Sequence, residues 1–292
     1  MGQRTRRRPT EGETDTRARA RESERVEAEA WAQLQSALPE AFRARMGIEV
    51  YRDGGSSTLI TRGTTELAVN RVIALGVVTP ATSALVDTIM ARFRDAGVDR
   101  YLVHLSPDAE PAELRAWLLE RGFVERPGLA ALVRDTSVDV GLELPDGLRI
   151  EEIGERDAAL FRALVAEPLR VPEEVRLGIT STIGHPGWRF YLAYRGDLPI
   201  AGAAMYSDGP AAWGGLTATV EGARGQGTQS ALLARRIHDA AAMGARWLTA
   251  ETLPERPERR NASLKNMQRL GFHLMYERPN FVFGAQADAT PT

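Results

Sequence analysis

The sequence predicts an α/β chain built from two copies of one domain, each a mostly antiparallel mixed sheet flanked by helices. Three observations predict it. Runs with strand-like alternation and runs with helical spacing follow one another along 292 residues, a length that suits two domains of about 150 residues each. The composition, 43% hydrophobic and 26% charged, is that of a globular protein rather than a disordered, collagen-like or coiled-coil chain. Landmarks also recur at a constant offset of 147: Ser83-Ala84-Leu85 with Ser230-Ala231-Leu232, Gly97 with Gly244, and Pro107 with Pro254. Both halves then reach a helix closed by Gly-Phe, at Gly122-Phe123 and Gly271-Phe272.

The elements are expected in the following order. Residues 1–30 carry eight arginines and seven acids and hardly any large apolar side chain, so residues 1–22 read as a disordered, arginine-rich tail. Helical spacing begins at Glu24 and runs to Leu38, followed by strands at Ile48–Tyr51, Thr58–Thr61 and Ala68–Val77. A helix over Thr82–Ala96 stops at Gly97, then come a strand at Tyr101–Leu105, a helix at Ala112–Arg121 and a strand at Leu129–Arg134. Small and polar residues gather after Asp135, which puts a linker at 138–147 between a first domain, 23–137, and a second, 148–285, with a tail at 286–292. The second domain opens with a strand at Leu148–Ile153 and a helix at Arg156–Ala166, and Pro172 starts a short helix. Strands at Arg189–Arg195, Ile200–Tyr206 and Ala212–Val220 precede a helix from Gly227 to Met243 that ends at Gly244. A strand at Trp247–Glu251, a helix at Arg259–Leu270 and a strand at Asn280–Phe283 complete it.

Several function classes are disfavoured. A net charge of −2 supplies no field for a polyanion, so no nucleic-acid partner is expected, and Arg4–Arg8 reads as part of a solvated mixed-charge tail. There is no cysteine, which removes disulfides, thiolate nucleophiles and cysteine zinc sites. No apolar run is long enough to cross a bilayer and no h-region follows the basic start, so no membrane is expected and the cytoplasm is the default address. The four histidines show no metal-ligand spacing, so no metal is expected.

The chemistry gathers after the strand Ala212–Val220, where Arg224-Gly225-Gln226-Gly227-Thr228-Gln229-Ser230 leads straight into a helix. A helix start leaves backbone N–H groups unpaired and carries positive potential, which suits a diphosphate. Gly225 and Gly227 let the backbone approach phosphate oxygens, and Arg224 adds a charged donor at the rim. Gly225-x-Gly227-x-x-Ser230, with Glu251 further on, also stands one substitution from a dinucleotide fingerprint, although this turn follows several hairpin-linked strands rather than a first βαβ strand. A plain connecting turn is the third reading.

These residues resemble the acyl-CoA signature of the GNAT acyltransferase superfamily, Arg/Gln-x-x-Gly-x-Gly/Ala opening a helix after the fourth strand, with Gln229 standing where Gly or Ala is usual. The resemblance covers 148–285 well and 30–137 weakly. It implies two tandem GNAT-like domains with acetyl-CoA bound as co-substrate by the second, at Arg224 through Ser230, with Ser263 and Asn266 on the next helix touching the cofactor and a backbone N–H near Thr219 or Val220 polarising the thioester carbonyl. At the same offset the first copy puts Val77, Val78, Thr79 and Pro80 against Arg224 through Gly227, so it is expected to be a degenerate copy without the seat. The implied reaction is N-acetylation, by direct attack on the thioester, of a small-molecule amine or a peptide amino terminus. The tyrosine the family places on the following helix is here Met267, leaving Tyr276 as the candidate proton donor and Glu251 as the candidate base. With that tyrosine missing, a non-catalytic acyl-CoA sensor or scaffold is the alternative.

Overall fold

The computed structural model describes residues 11–258 and 260–284. The N-terminal acids and arginines form a 26-residue helix, α1 (Glu11–Ser36), where residues 1–22 were expected to be disordered. The expectation for residues 1–10 lies outside the described residues. The reason is tertiary. Ala28 and Ala32 on one flank of α1 pack with Leu59 and Ile73 of the first half, while Val26, Ala30 and Leu34 on the other pack with Phe190 and Trp213 of the second. The charges between these flanks find distant partners: Arg25 with Asp208 at 2.8 Å and Glu29 with Arg52 at 2.7 Å. Helix propensity and packing together override a composition that reads as unstructured.

The first half continues with α2 (Glu40–Met46), β1 (Ile48–Asp53), β2 (Ser56–Thr61), β3 (Arg71–Ile73), α3 (Ser83–Asp95), β4 (Tyr101–His104), α4 (Leu114–Glu120) and β5 (Val124–Asp135). The expected strand Ala68–Val77 is reduced to three residues because Ala74 turns to φ 62 and breaks the pleat. Residues 136–147 are irregular, where the linker was expected. The second half has β6 (Leu148–Ile153), α5 (Ala158–Phe161), α6 (Glu173–Ser181), β7 (Trp188–Arg195), β8 (Leu198–Ser207), β9 (Ala211–Thr219), α7 (Thr228–Ala242), β10 (Trp247–Thr252), α8 (Ala262–Arg269) and β11 (His273–Phe283).

All these strands join one mixed sheet in the order β1-β2-β3-β4-β11-β5-β10-β9-β8-β7-β6. The halves are thus interlocked rather than two separate sheets: the last strand of each lies beside the penultimate strand of the other, β5 along β10 and β11 along β4. Alternation along a strand tells which face is buried but not which neighbour it pairs with, so this exchange was invisible in the sequence. One face of the sheet is covered by α3 and α4 in the first half and by α7 and α8 in the second. The other carries α1, α5 and α6.

Candidate functional site

β9 and β10 run parallel only from Ala211–Trp213 against Trp247–Thr249. Beyond those pairs they part, leaving Gly214–Thr219 and Ala250–Thr252 as the walls of a wedge. β9 bends away because it carries a bulge: between the pairs Gly202↔Ala218 and Ala204↔Gly215 it has two residues, Leu216 and Thr217, opposite one. Leu216 sits at φ 50, a strained value for a leucine. Arg236 of α7, 1% exposed, holds this bend through Nη1, which donates to the carbonyls of Ala204 at 3.2 Å and Gly215 at 3.3 Å. Among the described residues it has no carboxylate partner, and burial pushes its pKa down to about 10. Gly215 is obligatory, because a Cβ there would meet the Trp213 ring at 2.2 Å.

At the mouth of the wedge lie the residues of the expected seat. Residues 224–227 are exposed, and Gly225 and Gly227 take φ 73 and 80, left-handed values natural only to glycine. Gly227 is the N-cap of α7 and has no side chain with which to cap it, so the first turn of a 15-residue helix presents its N–H groups outward. Arg224 is anchored by Nε to the Thr219 carbonyl at 3.3 Å, and Gln226 to the Gly222 carbonyl at 3.0 Å. Thr228 is buried and its hydroxyl is unpartnered. Gln229 reaches sideways to α8, donating to Ser263 Oγ at 2.9 Å and accepting from Asn266 Nδ2 at 2.8 Å. Three expected cofactor-contacting side chains therefore hold one another and tie the start of α7 to α8, with Ser230 half-buried beside them. Val220 is a correction: its N–H donates to the Ile200 carbonyl at 2.9 Å, which makes Ala201↔Thr219 the non-hydrogen-bonded pair of the ladder and turns the Thr219 N–H away from β8, so of the two expected donors it is Thr219 that stays free of that strand.

The first half shows what a closed version looks like. α3 and α7 start at 83 and 228, so aligning helix starts puts Thr82 opposite Gly227 and Pro80 opposite Gly225, a shift of two from the constant offset. Thr82 Oγ1 accepts from Leu85 N at 3.1 Å and caps α3. The loop is sealed by Glu110, whose N–H donates to Gly76 and whose carbonyl accepts from Ala81 N, at 2.7 and 2.8 Å.

On the opposite face of the wedge, Glu251 and Tyr276 occupy one row across the sheet, each paired with Ala131 of β5. With strands about 4.8 Å apart they stand roughly 10 Å from each other, with the buried Ala131 between them. Trp213 Nε1 donates to Glu251 Oε2 at 2.8 Å. Tyr276 donates to Glu24 Oε1 of α1 at 2.7 Å. Arg278, 1% exposed, donates to Glu24 at 2.9 Å and grips both oxygens of Glu27 at 2.5 and 2.9 Å. Arg71 and His104 complete the cluster, 3.3 Å apart. Burial, reinforced by Glu27, pushes the Glu251 carboxyl well above the ordinary range, and burial raises Glu24 and Tyr276 too. Burial works against the Arg278 cation, but Glu24 and Glu27 outweigh it. Burial and the two arginines push His104 well down, so it is neutral. The sequence reading found Glu251 and Tyr276. It missed Trp213, Glu24, Glu27, Arg71, Arg236 and Arg278, of which only the arginine inside the apolar stripe of α7 left a local signal.

Among the described residues no group of His, Asp and Glu converges as metal ligands, and no helix is long and apolar enough to cross a membrane. The chain matches no protein-family model and no curated protein. It is similar in structure to a tandem GNAT protein from the clavulanic acid biosynthesis pathway, with 15% identity, 94% of this chain and 97% of that one covered, and a TM-score of 0.59. A GCN5-related N-acetyltransferase from Kribbella flavida gives 18%, 90%, 96% and 0.57. One from Sphaerobacter thermophilus gives 15%, 94%, 93% and 0.51. Wedge, bulge, uncapped helix start and two-copy architecture thus come together in one conclusion: this chain has the tandem GNAT fold of the GCN5-related N-acetyltransferases.

Proposed function

We propose that the protein is an acetyl-CoA-dependent N-acetyltransferase whose second copy carries the site, acting on a small-molecule amine or an exposed amino terminus. One observation carries this reading. The two copies begin their equivalent helices differently, with Thr82 capping α3 while Gly227 leaves α7 open beside the wedge. The N–H groups at the start of α7, with Arg224, are placed to hold the diphosphate of acetyl-CoA, and the wedge to admit its pantetheine arm. The Thr219 N–H, turned away from β8, is a donor for the thioester carbonyl.

An acceptor amine arrives largely protonated, so a base must take its proton before nitrogen attacks the acyl carbon. Glu251 has that role, since its raised pKa makes it a stronger base than an exposed carboxylate. The departing thiolate needs a proton, and Tyr276, held as a phenol, is the donor in reach of the same row. A half-buried acid and phenol roughly 10 Å apart across Ala131, both with raised pKa, favour turnover over the sensor reading, because ligand binding alone has no use for them. The test is release of free CoA thiol from acetyl-CoA with a panel of small primary amines. Amine-dependent release supports transfer, whereas tight acetyl-CoA binding without release for any amine returns the protein to the sensor class.

A further inference from the structure

The first copy does more than scaffold the second. Its helix α1 lies against the second copy's β8, β9 and β10 as well as its own β2 and β3. Glu24 and Glu27, three residues apart on one helix face, meet Tyr276 and Arg278, two residues apart on one strand face. The pairing is reciprocal. Arg278 takes both oxygens of Glu27 and one of Glu24, and the remaining Glu24 oxygen accepts the Tyr276 hydroxyl. Resting on the transferase reading above, we propose that α1 completes the second copy's acceptor side, with Glu24 as the positioning residue that fixes the Tyr276 hydroxyl and keeps it protonated.

The physical argument runs through Arg278. A lone buried carboxylate would be strongly penalised, but here the guanidinium clamps Glu24 from one side and so fixes which oxygen faces Tyr276. A phenol 2.7 Å from a carboxylate resists ionising, because that would set two negative charges against each other in a dry environment. Facing the phenol are Glu24 from α1, Arg278 from β11 and the Ser106 hydroxyl that follows β4, while Glu27 from α1, Glu251 from β10, Arg71 from β3 and His104 from β4 join the same cluster through Arg278. Of the carboxylates, Glu24 alone has a hydrogen bond to it. Glu24→Gln keeps the volume and leaves Arg278 its two bonds to Glu27, so the variant should fold. Glu27→Gln is the matched control, removing the same charge from the same clamp without touching Tyr276.

The experiment records tyrosinate absorbance against pH in the wild type, Glu24→Gln and Glu27→Gln, each as a difference from the same protein carrying Tyr276→Phe. Acetyl-CoA affinity is measured alongside by calorimetry. The Tyr276 ionisation is expected at least about one pH unit lower in Glu24→Gln than in the wild type and unmoved in Glu27→Gln, with affinity within about twofold in all three. In the thiol-release assay the alkaline limb should move with the Glu24→Gln spectrum. An equal shift in both variants, or none in Glu24→Gln, overturns the proposal. Absence of acetyl-CoA binding in the wild type defeats the transferase reading instead, and the two failures are distinguishable.

Discussion

Replacing Gly227 by alanine adds one methyl group at a place where the backbone has φ 80, and the cost follows from geometry. An L-residue in the left-handed region carries about 1–2 kcal/mol. The new Cβ would also sit 3.1 Å from Cγ of Pro145 in the linker, which must give by a few tenths of an ångström. Unliganded, the exposed 224–227 loop is free to relax into an ordinary conformation. To hold a diphosphate it must return, so the strain becomes a binding cost of about 1–2 kcal/mol, or roughly a 5- to 30-fold rise in Kd. Gly225→Ala has φ 73 and open space around the new Cβ, so it carries the backbone cost alone and falls at the lower end. Gly196→Ala, in the β7–β8 turn at φ 58 with equally open surroundings, is the control: it should lower thermal stability and leave affinity untouched. Calorimetric titration with acetyl-CoA reads all three. Unchanged affinity in both Gly225→Ala and Gly227→Ala would refute the assignment of the seat.

Other expectations follow from the same residues. On the proposed mechanism Glu251 is the base and must lose a proton to act, and its carboxyl is raised, so kcat/KM should climb with pH along an acid limb above the usual carboxylate range; Glu251→Gln should abolish that limb and cut turnover, read from a pH–rate profile. His104 is depressed in the folded state, so below about pH 6.5 the unfolded chain takes up a proton the folded chain refuses; stability should fall with a slope approaching ~1.4 kcal/mol per pH unit, and His104→Gln should remove that part of a denaturant-unfolding series. Arg236→Met removes the cost of burying a cation that has no carboxylate partner among the described residues, which offsets the two lost bonds to carbonyls, so thermal stability should change little while turnover drops at least tenfold as the Gly215–Thr217 bulge loses its clamp.

The second half was the more legible one, for local reasons. Gly227 and Gly244 punctuate α7, and the strand-to-helix step through Arg224–Ser230 is a short-range pattern, so the helix and its glycine-rich start could be read directly. α1 was legible as a helix only from Glu24 on; its start at Glu11 and its packing partners were not, because Arg25, Glu24, Glu27 and Glu29 look like solvated charge until Asp208, Arg278 and Arg52 are brought to them from up to 254 residues away. β11 extends back to His273, well before the expected Asn280, since a bulge between Leu274 and Tyr276 scrambles the alternation a strand normally shows. That same bulge sets the register that brings Tyr276 opposite Ala131, so the irregularity that hid the strand also places the candidate donor. Arg236 was hidden in plain view, a cation inside the apolar stripe of an amphipathic helix whose purpose only the bent β9 discloses.

The most direct measurement is the stoichiometry of acetyl-CoA on the intact chain by isothermal titration. The open start of α7 and the Thr82-capped, Glu110-sealed start of α3 predict one equivalent, lost when Arg224→Ala and Gly227→Pro are combined and unaffected by Thr82→Ala. Two equivalents, or one that survives the combined substitution, would contradict it.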